Sequence, residues 1–116
     1  MALRTITHFW DDVVILRCMG RLVAGLETIT FRQGVEKLLS ERRKVVINLT
    51  QVDHIDSTGV ATLAYFLTRN RDPESAPRLV SSRRNLMELL RRTRLDTALT
   101  VYANEEDAIA SFPNAA

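Results

Sequence analysis

The chain has 116 residues, of which 46% are hydrophobic and 26% are charged. This size and composition are typical of one ordinary globular domain and exclude a disordered or fibrous protein. We therefore expect a single domain over residues 1–116. The net charge of +2 is too small to indicate a nucleic-acid partner. No apolar run approaches the length of a membrane span and no signal peptide is recognisable, so we expect a cytoplasmic protein without membrane insertion.

Cysteine and histidine give no sign of a metal or redox site. Cys18 is the only cysteine and lies in the apolar stretch Val13 to Met19, which predicts a buried thiol and excludes an internal disulfide. His8 and His54 are the only histidines, and neither has carboxylates at ligand spacing beside it. We therefore expect no metal and no cofactor.

The N-terminal part of the chain predicts a hairpin followed by a helix. Leu3 to Trp10 and Val13 to Met19 are β-rich segments with two aspartates between them, as in a tight antiparallel hairpin. A loop is then expected between Gly20 and Gly25. Beyond it, apolar residues recur with the spacing of one helix face, at Phe31, Val35, Leu38 and Leu39.

In the middle of the chain a strand is predicted to lead into a second helix. Lys44 to Leu49 is a short, continuous apolar run, typical of a strand covered on both faces. The following helix should end near Asn70, before the proline-containing surface loop Asp72 to Pro77. Its predicted inward face consists of Val60, Leu63, Ala64 and Leu67.

The C-terminal part alternates strands and helices again. A short strand at Leu79 and Val80 precedes a helix, and a last strand is predicted from Leu99 to Tyr102. Asn104 should cap a closing helix whose first turn is acidic. The apolar face of the preceding helix comprises Leu86, Leu89, Leu90 and Thr93. The whole order predicts an α/β fold, with a mixed, mostly parallel sheet that starts with a β-hairpin and is packed with about four helices.

The tetrapeptide Asp56-Ser57-Thr58-Gly59 stands where the central strand gives way to its helix. Backbone N–H groups at a helix N-terminus are unpaired and carry a positive dipole, so a phosphate on the Ser57 hydroxyl would be tolerated or held there. Phosphorylation adds about −1.5 to −2 charges, and Asp53 and Asp56 already make the turn acidic. Ser57 could equally serve as the N-cap of the helix, since serine is a favoured cap.

The turn and the segments around it have a recognisable order. The segments Asn48 to Thr50 and Val52 to Val60 are followed by Leu86 to Leu95, Val101-Tyr102 and Glu105 to Ile109. This arrangement resembles the STAS domain of bacterial anti-sigma factor antagonists. The resemblance implies that Ser57 is phosphorylated by a partner that is both a serine kinase and an anti-sigma factor. It also implies that only the unphosphorylated form binds this partner, and that a serine phosphatase resets the cycle.

The resemblance further implies which residues contact the partner: Asp56, Ser57, Thr58 and Gly59, with Arg21 and Val23 in the facing loop. Asp56 would orient Ser57 or contact a metal–nucleotide complex, or it would simply bind loop amides. Thr58 is a second, minor candidate for modification. Gly59 is expected to permit close approach of a partner backbone, or merely to ease the turn.

One position departs from the family pattern. Val23 stands where many relatives carry an acidic residue, which puts recognition by a kinase in the usual way into question. Arg21 could instead pair with a phosphate on Ser57. The departure favours an alternative in which the chain is a non-switching STAS scaffold, a subunit of a sensory assembly or an accessory to a membrane transporter.

An enzyme with Ser57 as nucleophile is not expected. His54 lies three residues before it, but no orienting group or oxyanion hole is recognisable, and a solvated loop histidine is the simpler interpretation. The aromatic residues are expected to serve in packing, with either Tyr65 or Phe66 available to a partner; they are Trp10, Tyr65, Phe66 and Tyr102. The sequence leaves the oligomeric state open, a homodimer included.

Overall fold

The computed structural model describes residues 3–41, 43–69, 72, 75–96 and 100–113. These residues form five strands and four helices. In chain order the elements are β1 (Arg4–Trp10), β2 (Val13–Leu22), α1 (Leu26–Ser40), β3 (Lys44–Ile55), α2 (Ser57–Arg69), β4 (Arg78–Val80), α3 (Arg84–Arg92), β5 (Val101–Tyr102) and α4 (Glu105–Ala110). None of the described helices is long and apolar enough to cross a membrane.

The strands form one sheet in the order β1-β2-β3-β4-β5. β1 and β2 are antiparallel, and every other neighbouring pair is parallel. The hairpin turn places Asp11 at a φ of 55°, a left-handed conformation that aspartate tolerates better than most residues. The prediction of a mixed, mostly parallel sheet that starts with a hairpin and carries four helices is therefore confirmed.

Strand alternation divides the core between the two faces of the sheet. Leu16 and Cys18 of β2 belong to the larger core, which α1, α2 and α3 cover. Val13 and Ile15 of the same strand face the smaller core, which includes Ala108 of α4. Cys18 is 1% exposed, so the expected buried thiol is confirmed, and this burial raises its pKa to about 12.

Two strands are longer than predicted. β2 continues through Gly20, at a φ of 102°, to Leu22, and β3 continues to Ile55. The two extensions pair with each other, ending at Leu22 opposite Ile55, with two register shifts at which β3 carries an extra residue. His54 consequently lies in a strand, so its interpretation as a loop residue is wrong, although it is exposed as expected.

The aromatic residues differ in their burial. Trp10 is 55% exposed, so the expectation that it packs inside the protein is wrong. Phe66 is buried between α2 and the sheet, whereas Tyr65 is half-buried and contacts Phe66 edge-on.

Three sequence predictions concern positions that the structure does not describe. The predicted start of the last strand, Leu99, and the predicted end of α2, Asn70, lie outside the described residues. The side chain of Leu67, predicted to face inward from α2, also lies outside them.

The last helix begins as predicted. The Asn104 side-chain oxygen accepts a hydrogen bond of 2.8 Å from the backbone N–H of Asp107, which confirms the N-cap. Glu105 does more than neutralise the helix dipole, because it accepts two hydrogen bonds of 2.9 Å from Arg17 of β2. This bidentate pair, helped by a bond from Asn48 of β3, fastens α4 to the sheet.

Candidate partner-binding site

A single residue, Asp56, separates β3 from α2 and serves as the N-cap of that helix. Its Oδ1 accepts a hydrogen bond of 2.9 Å from the N–H of Gly59, the third residue of α2. Its backbone oxygen accepts from Val60, the first bond of the helix ladder. The interpretation of Ser57 as the cap is therefore wrong: Ser57 is the first residue of the helix, and its hydroxyl is not needed to start it.

The second oxygen of Asp56 reaches a different part of the chain. Oδ2 accepts a hydrogen bond of 3.1 Å from the N–H of Ala24, in the loop between β2 and α1. The partial burial of Asp56 works against ionisation, but the backbone N–H groups of Ala24, Gly59 and Thr58 outweigh it and lower the carboxyl pKa. Asp56 therefore carries a full negative charge at neutral pH, directly beside the Ser57 hydroxyl.

Gly59 makes its close contact with its own chain. A Cβ at this position would lie 2.8 Å from Ile55 Cγ1 and 3.2 Å from the Leu22 carbonyl carbon, and it would overlap the Leu22 oxygen. The Leu22 oxygen also accepts a hydrogen bond of 3.4 Å from the Asp56 N–H. The close approach expected for a partner backbone is thus made by strand β2, and Gly59 is buried beneath it.

The loop of residues 23–25 is fixed from both sides. The Val23 carbonyl accepts a hydrogen bond from the Thr28 hydroxyl, and the Gly25 oxygen accepts from the N–H of Ile29. Val23 is half-buried and Ala24 is exposed, so this loop presents backbone and small side chains next to the Ser57 turn. Because Asp56 holds Ala24, the loop and the turn form one surface.

Exposed side chains of α1 and α2 extend this surface. Ser57, Thr58 and Ala61 of α2 are exposed, while Leu26 and Ile29 of α1 are 75% and 54% exposed. We call Ser57, Thr58, Ala61 and Ile29 the Ser57 surface, whereas Leu26 lines a groove between α1 and β1. An exposed hydroxyl at a charged turn and a large apolar side chain without cover in the described structure therefore belong to one surface.

The two helices of this surface are held side by side. The Arg32 guanidinium lies 4.1 Å from the centre of the Tyr65 ring, a cation–π contact from α1 to α2. Ile29 precedes Arg32 by three positions and Ala61 precedes Tyr65 by four, so each pair lies on one side of its helix. The contact between Arg32 and Tyr65 therefore aligns the exposed residues of α1 with those of α2.

Sequence reasoning missed Leu26 and Ile29. The signal was available, because both residues fall off the helical stripe of Phe31 and Val35, which are buried. Large apolar residues outside the core stripe of a surface helix must either be covered by a partner or remain exposed.

Arg21 and Asp53 behave differently from expectation. Arg21 is exposed on β2 and pairs in register with His54, whereas its neighbour Leu22 points into the larger core. Alternation along the strand therefore directs Arg21 to the opposite face of the sheet. Its pairing with a phosphate on Ser57 stays a prediction. Asp53 adds less to the acidity of the turn than its sequence position indicates, because Arg83 lies 3.5 Å from it in an ion pair.

Comparison with known families gives a match over most of the chain. The model of the STAS domain family matches residues 5–108. No curated protein matches this chain in sequence.

Solved structures share the fold. An anti-sigma factor antagonist from Mycobacterium paratuberculosis is 19% identical, with a TM-score of 0.80 over 97% of this chain and 96% of the other. A putative anti-sigma factor antagonist from Thermotoga maritima is 22% identical, with a TM-score of 0.77 over 91% and 92%. The anti-sigma factor antagonist SpoIIAA in its unphosphorylated form is 11% identical, with a TM-score of 0.70 over 92% and 94%. At these identities the likeness establishes the architecture.

Proposed function

The chain belongs to the STAS domain family, and we propose that it is an anti-sigma factor antagonist controlled by phosphorylation of Ser57. In this proposal the Ser57 surface binds an anti-sigma factor that is also a serine kinase, and phosphorylation ends that binding. A serine phosphatase then restores the hydroxyl. The observation that carries the proposal is the position of Ser57: its hydroxyl is exposed, free of any capping role, and lies beside an ionised carboxylate on a surface that also carries the exposed Ile29.

The charge distribution at the turn explains how a phosphate would act. Asp56 already binds the N–H groups of Gly59 and Thr58 in the first turn of α2. A phosphate on Ser57 therefore does not have those donors at its disposal and would stand next to a carboxylate. Its charge would remain on the surface, so of the two alternatives that the sequence leaves open we propose that the phosphate is tolerated at the helix start and not held there.

Binding to a partner would respond strongly to this charge. An interface fitted to a neutral hydroxyl and to Ile29 must desolvate whatever Ser57 carries. Burying an unpaired phosphate beside Asp56 costs several kcal/mol, and about 1.4 kcal/mol corresponds to a tenfold change in affinity. Because no backbone change is required, the fold can stay fixed while the affinity changes.

We propose a binding role rather than catalysis, exercised in the cytoplasm. His54 is exposed on β3 and forms no hydrogen bond with Ser57 in the part of the chain that the structure describes. A nucleophilic serine needs such a base. In that same part, no group of three or more His, Cys, Asp or Glu residues is arranged to hold a metal ion.

The test combines phosphorylation with binding. Incubation with ATP and the cognate serine-kinase anti-sigma factor should transfer one phosphoryl group to Ser57, and mass spectrometry of the peptides locates it. Ser57→Ala should bind the partner without being modified, whereas Ser57→Asp should bind at least about tenfold more weakly in calorimetry. Ser75→Asp, an equal charge in the exposed loop beyond the far end of α2, is the matched control.

A second candidate arises from Val23, which leaves the loop facing Ser57 without a carboxylate. In that case the chain is a non-switching STAS scaffold of a sensory assembly or a transporter. Partner binding that is equal in Ser57→Ala and Ser57→Asp, with no phosphate on Ser57, would support the scaffold and reject the switch.

A further inference from the structure

Strand β1 is an unprotected edge of the sheet, remote from the Ser57 surface. All seven of its residues are exposed. Five large hydrophobic side chains are strongly exposed among the described residues, and three of them, Ile6, Phe9 and Trp10, lie on this strand. An edge strand also presents every second peptide group without a partner. Both the backbone and the side chains of β1 are therefore available for pairing.

The devices that usually protect such an edge are missing from β1. Natural edges are short, bulged, or interrupted by proline or lysine. β1 pairs with β2 in uninterrupted register from Arg4–Met19 to Trp10–Val13, and it contains neither proline nor lysine. Its single permanent charge, Arg4, stands at one end. An edge of this length and composition is suited to the addition of another strand.

We propose that a second copy of this chain supplies that strand, so that two β1 strands pair antiparallel across a two-fold axis at Thr7. The proposal does not rest on the function proposed for Ser57. In this register Arg4 lies opposite the partner's Trp10 and Thr5 lies opposite the partner's Phe9. Ile6 lies opposite the partner's His8, and the two Thr7 residues face each other. No like charges are opposed, and both ends gain an arginine–aromatic contact.

The charges of β1 select this register. A two-fold axis between antiparallel edge strands runs perpendicular to the sheet and keeps each residue on its own face, so it lies midway between the two copies of one β1 residue. An axis at Ile6 would place Arg4 opposite the partner's His8. An axis at His8 would set the two histidines against each other. An axis at Thr7 avoids both conflicts and pairs all seven residues of the strand.

Both faces of the strand contribute to the interface. Ile6 and Trp10 pair in register with Arg17 and Val13 of β2 and share the face of α4. On the other face, β1 and α1 enclose a groove of about 560 Å³. Its lining is mostly apolar and includes Leu3, Phe9, Leu16, Leu26 and Leu38. Across the axis this groove would continue into that of the second copy.

The pairing leaves the Ser57 turn accessible. β2 lies between β1 and β3, the strand that leads to Ser57. A dimer at β1 would therefore extend the sheet to ten strands and carry one Ser57 surface at each side. Partner binding and self-association use separate parts of the chain.

Disulfide cross-linking tests the register. In the dimer, two Thr7→Cys residues face each other with Cα atoms about 4.5–5.5 Å apart, within the range for a disulfide. Two Thr5→Cys residues would lie about 14 Å apart along the strands and cannot be bridged. Mild oxidation should therefore link Thr7→Cys into a covalent dimer and leave Thr5→Cys monomeric. Cys18 is buried and present in both variants, so it is a constant background.

Sedimentation equilibrium of the unmodified chain tests the dimer itself. Thr7→Lys places two ammonium groups on the axis and should weaken self-association several-fold, with an unchanged circular dichroism spectrum. Ser75→Lys, in a loop away from β1, should leave self-association unchanged. A monomer at the highest accessible concentrations would overturn the proposal. Equal cross-linking of Thr5→Cys and Thr7→Cys would also overturn it.

Discussion

Asp56 and Ala24 are 32 positions apart in the chain, yet the Ala24 N–H donates a hydrogen bond of 3.1 Å to Asp56 Oδ2. The same carboxylate caps α2 through Gly59. One side chain therefore starts the helix that carries Ser57 and fixes the loop that faces it. The geometry of the Ser57 surface depends on this carboxylate more than on any hydroxyl in the turn.

Two replacements of Asp56 should separate its role as the N-cap of α2 from its hydrogen bond with the Ala24 N–H. We expect Asp56→Ala to lower the free energy of unfolding by about 1–2 kcal/mol, since it removes a helix cap and leaves the Ala24 N–H without its acceptor. Asp56→Asn should lose less, because asparagine caps nearly as well as aspartate. Urea unfolding of the three proteins measures the difference. Asp53→Asn, at an exposed carboxylate outside the cap, is the control and should change stability little.

Acid stability should depend on Asp56. The carboxyl pKa is lowered in the folded state, because hydrogen bonds from backbone N–H groups outweigh the effect of burial. The folded state therefore gains stability above the unfolded pKa of about 3.9 and loses it as the pH falls through the lower folded value. Carboxyl carbon NMR shifts should give a titration midpoint for Asp56 below the ordinary value of about 3.9. In Asp56→Asn, unfolding midpoints should fall less steeply with decreasing pH below about 4. An equal slope in both proteins would contradict this assignment.

Substitution by alanine should change the stability of the protein in opposite directions at two helix glycines, Gly59 and Gly34. A Cβ at Gly59 would overlap the Leu22 carbonyl oxygen and press on Ile55, so α2 would have to move away from β2. Gly59→Ala should therefore cost about 1–3 kcal/mol of stability. A Cβ at Gly34, in α1, would meet no atom within 4 Å, so Gly34→Ala should stabilise the protein by about 0.5–1 kcal/mol through helix propensity. Thermal unfolding of both variants checks the pair, and a stable Gly59→Ala would contradict the close packing.

The sequence was sufficient to predict the order of the elements, because that order follows from local patterns. The β-rich apolar run of β2, the aspartate turn before it and the Asn104 cap are each decided within a few positions. The second half of β3 could not be predicted in this way. Residues 50–55 are mostly polar, and they form a strand only because Leu22 and its neighbours pair with them from another part of the chain.

Similar limits apply to the site. The motif located Ser57, but aspartate and serine are both favoured caps, and only the hydrogen bond from Gly59 to Asp56 distinguishes between them. The exposure of Trp10 could not be predicted, because burial of an edge residue depends on whether a helix covers it, which no local pattern reveals. The close packing at Gly59 likewise depends on the end of a distant strand.

Partner binding should depend on Ile29. This side chain is 54% exposed on α1, on the side of the helix that Arg32 aligns with α2. If an anti-sigma factor covers the Ser57 surface, burial of Ile29 contributes to affinity, and Ile29→Ser should weaken binding by about tenfold or more in calorimetry. The free energy of unfolding should change little, because the side chain is already largely in water.

Ile6→Ser is the matched control for that measurement, since Ile6 is 53% exposed but lies on β1. It removes the same side chain from an equally exposed site and should leave affinity for the anti-sigma factor unchanged. When self-association is measured, Ile6→Ser should weaken it and Ile29→Ser should leave it unchanged, because Ile6 belongs to the proposed dimer edge and Ile29 does not. Equal losses of partner affinity in both would mean that the anti-sigma factor binds across β1 as well, which would contradict the separation of the two surfaces.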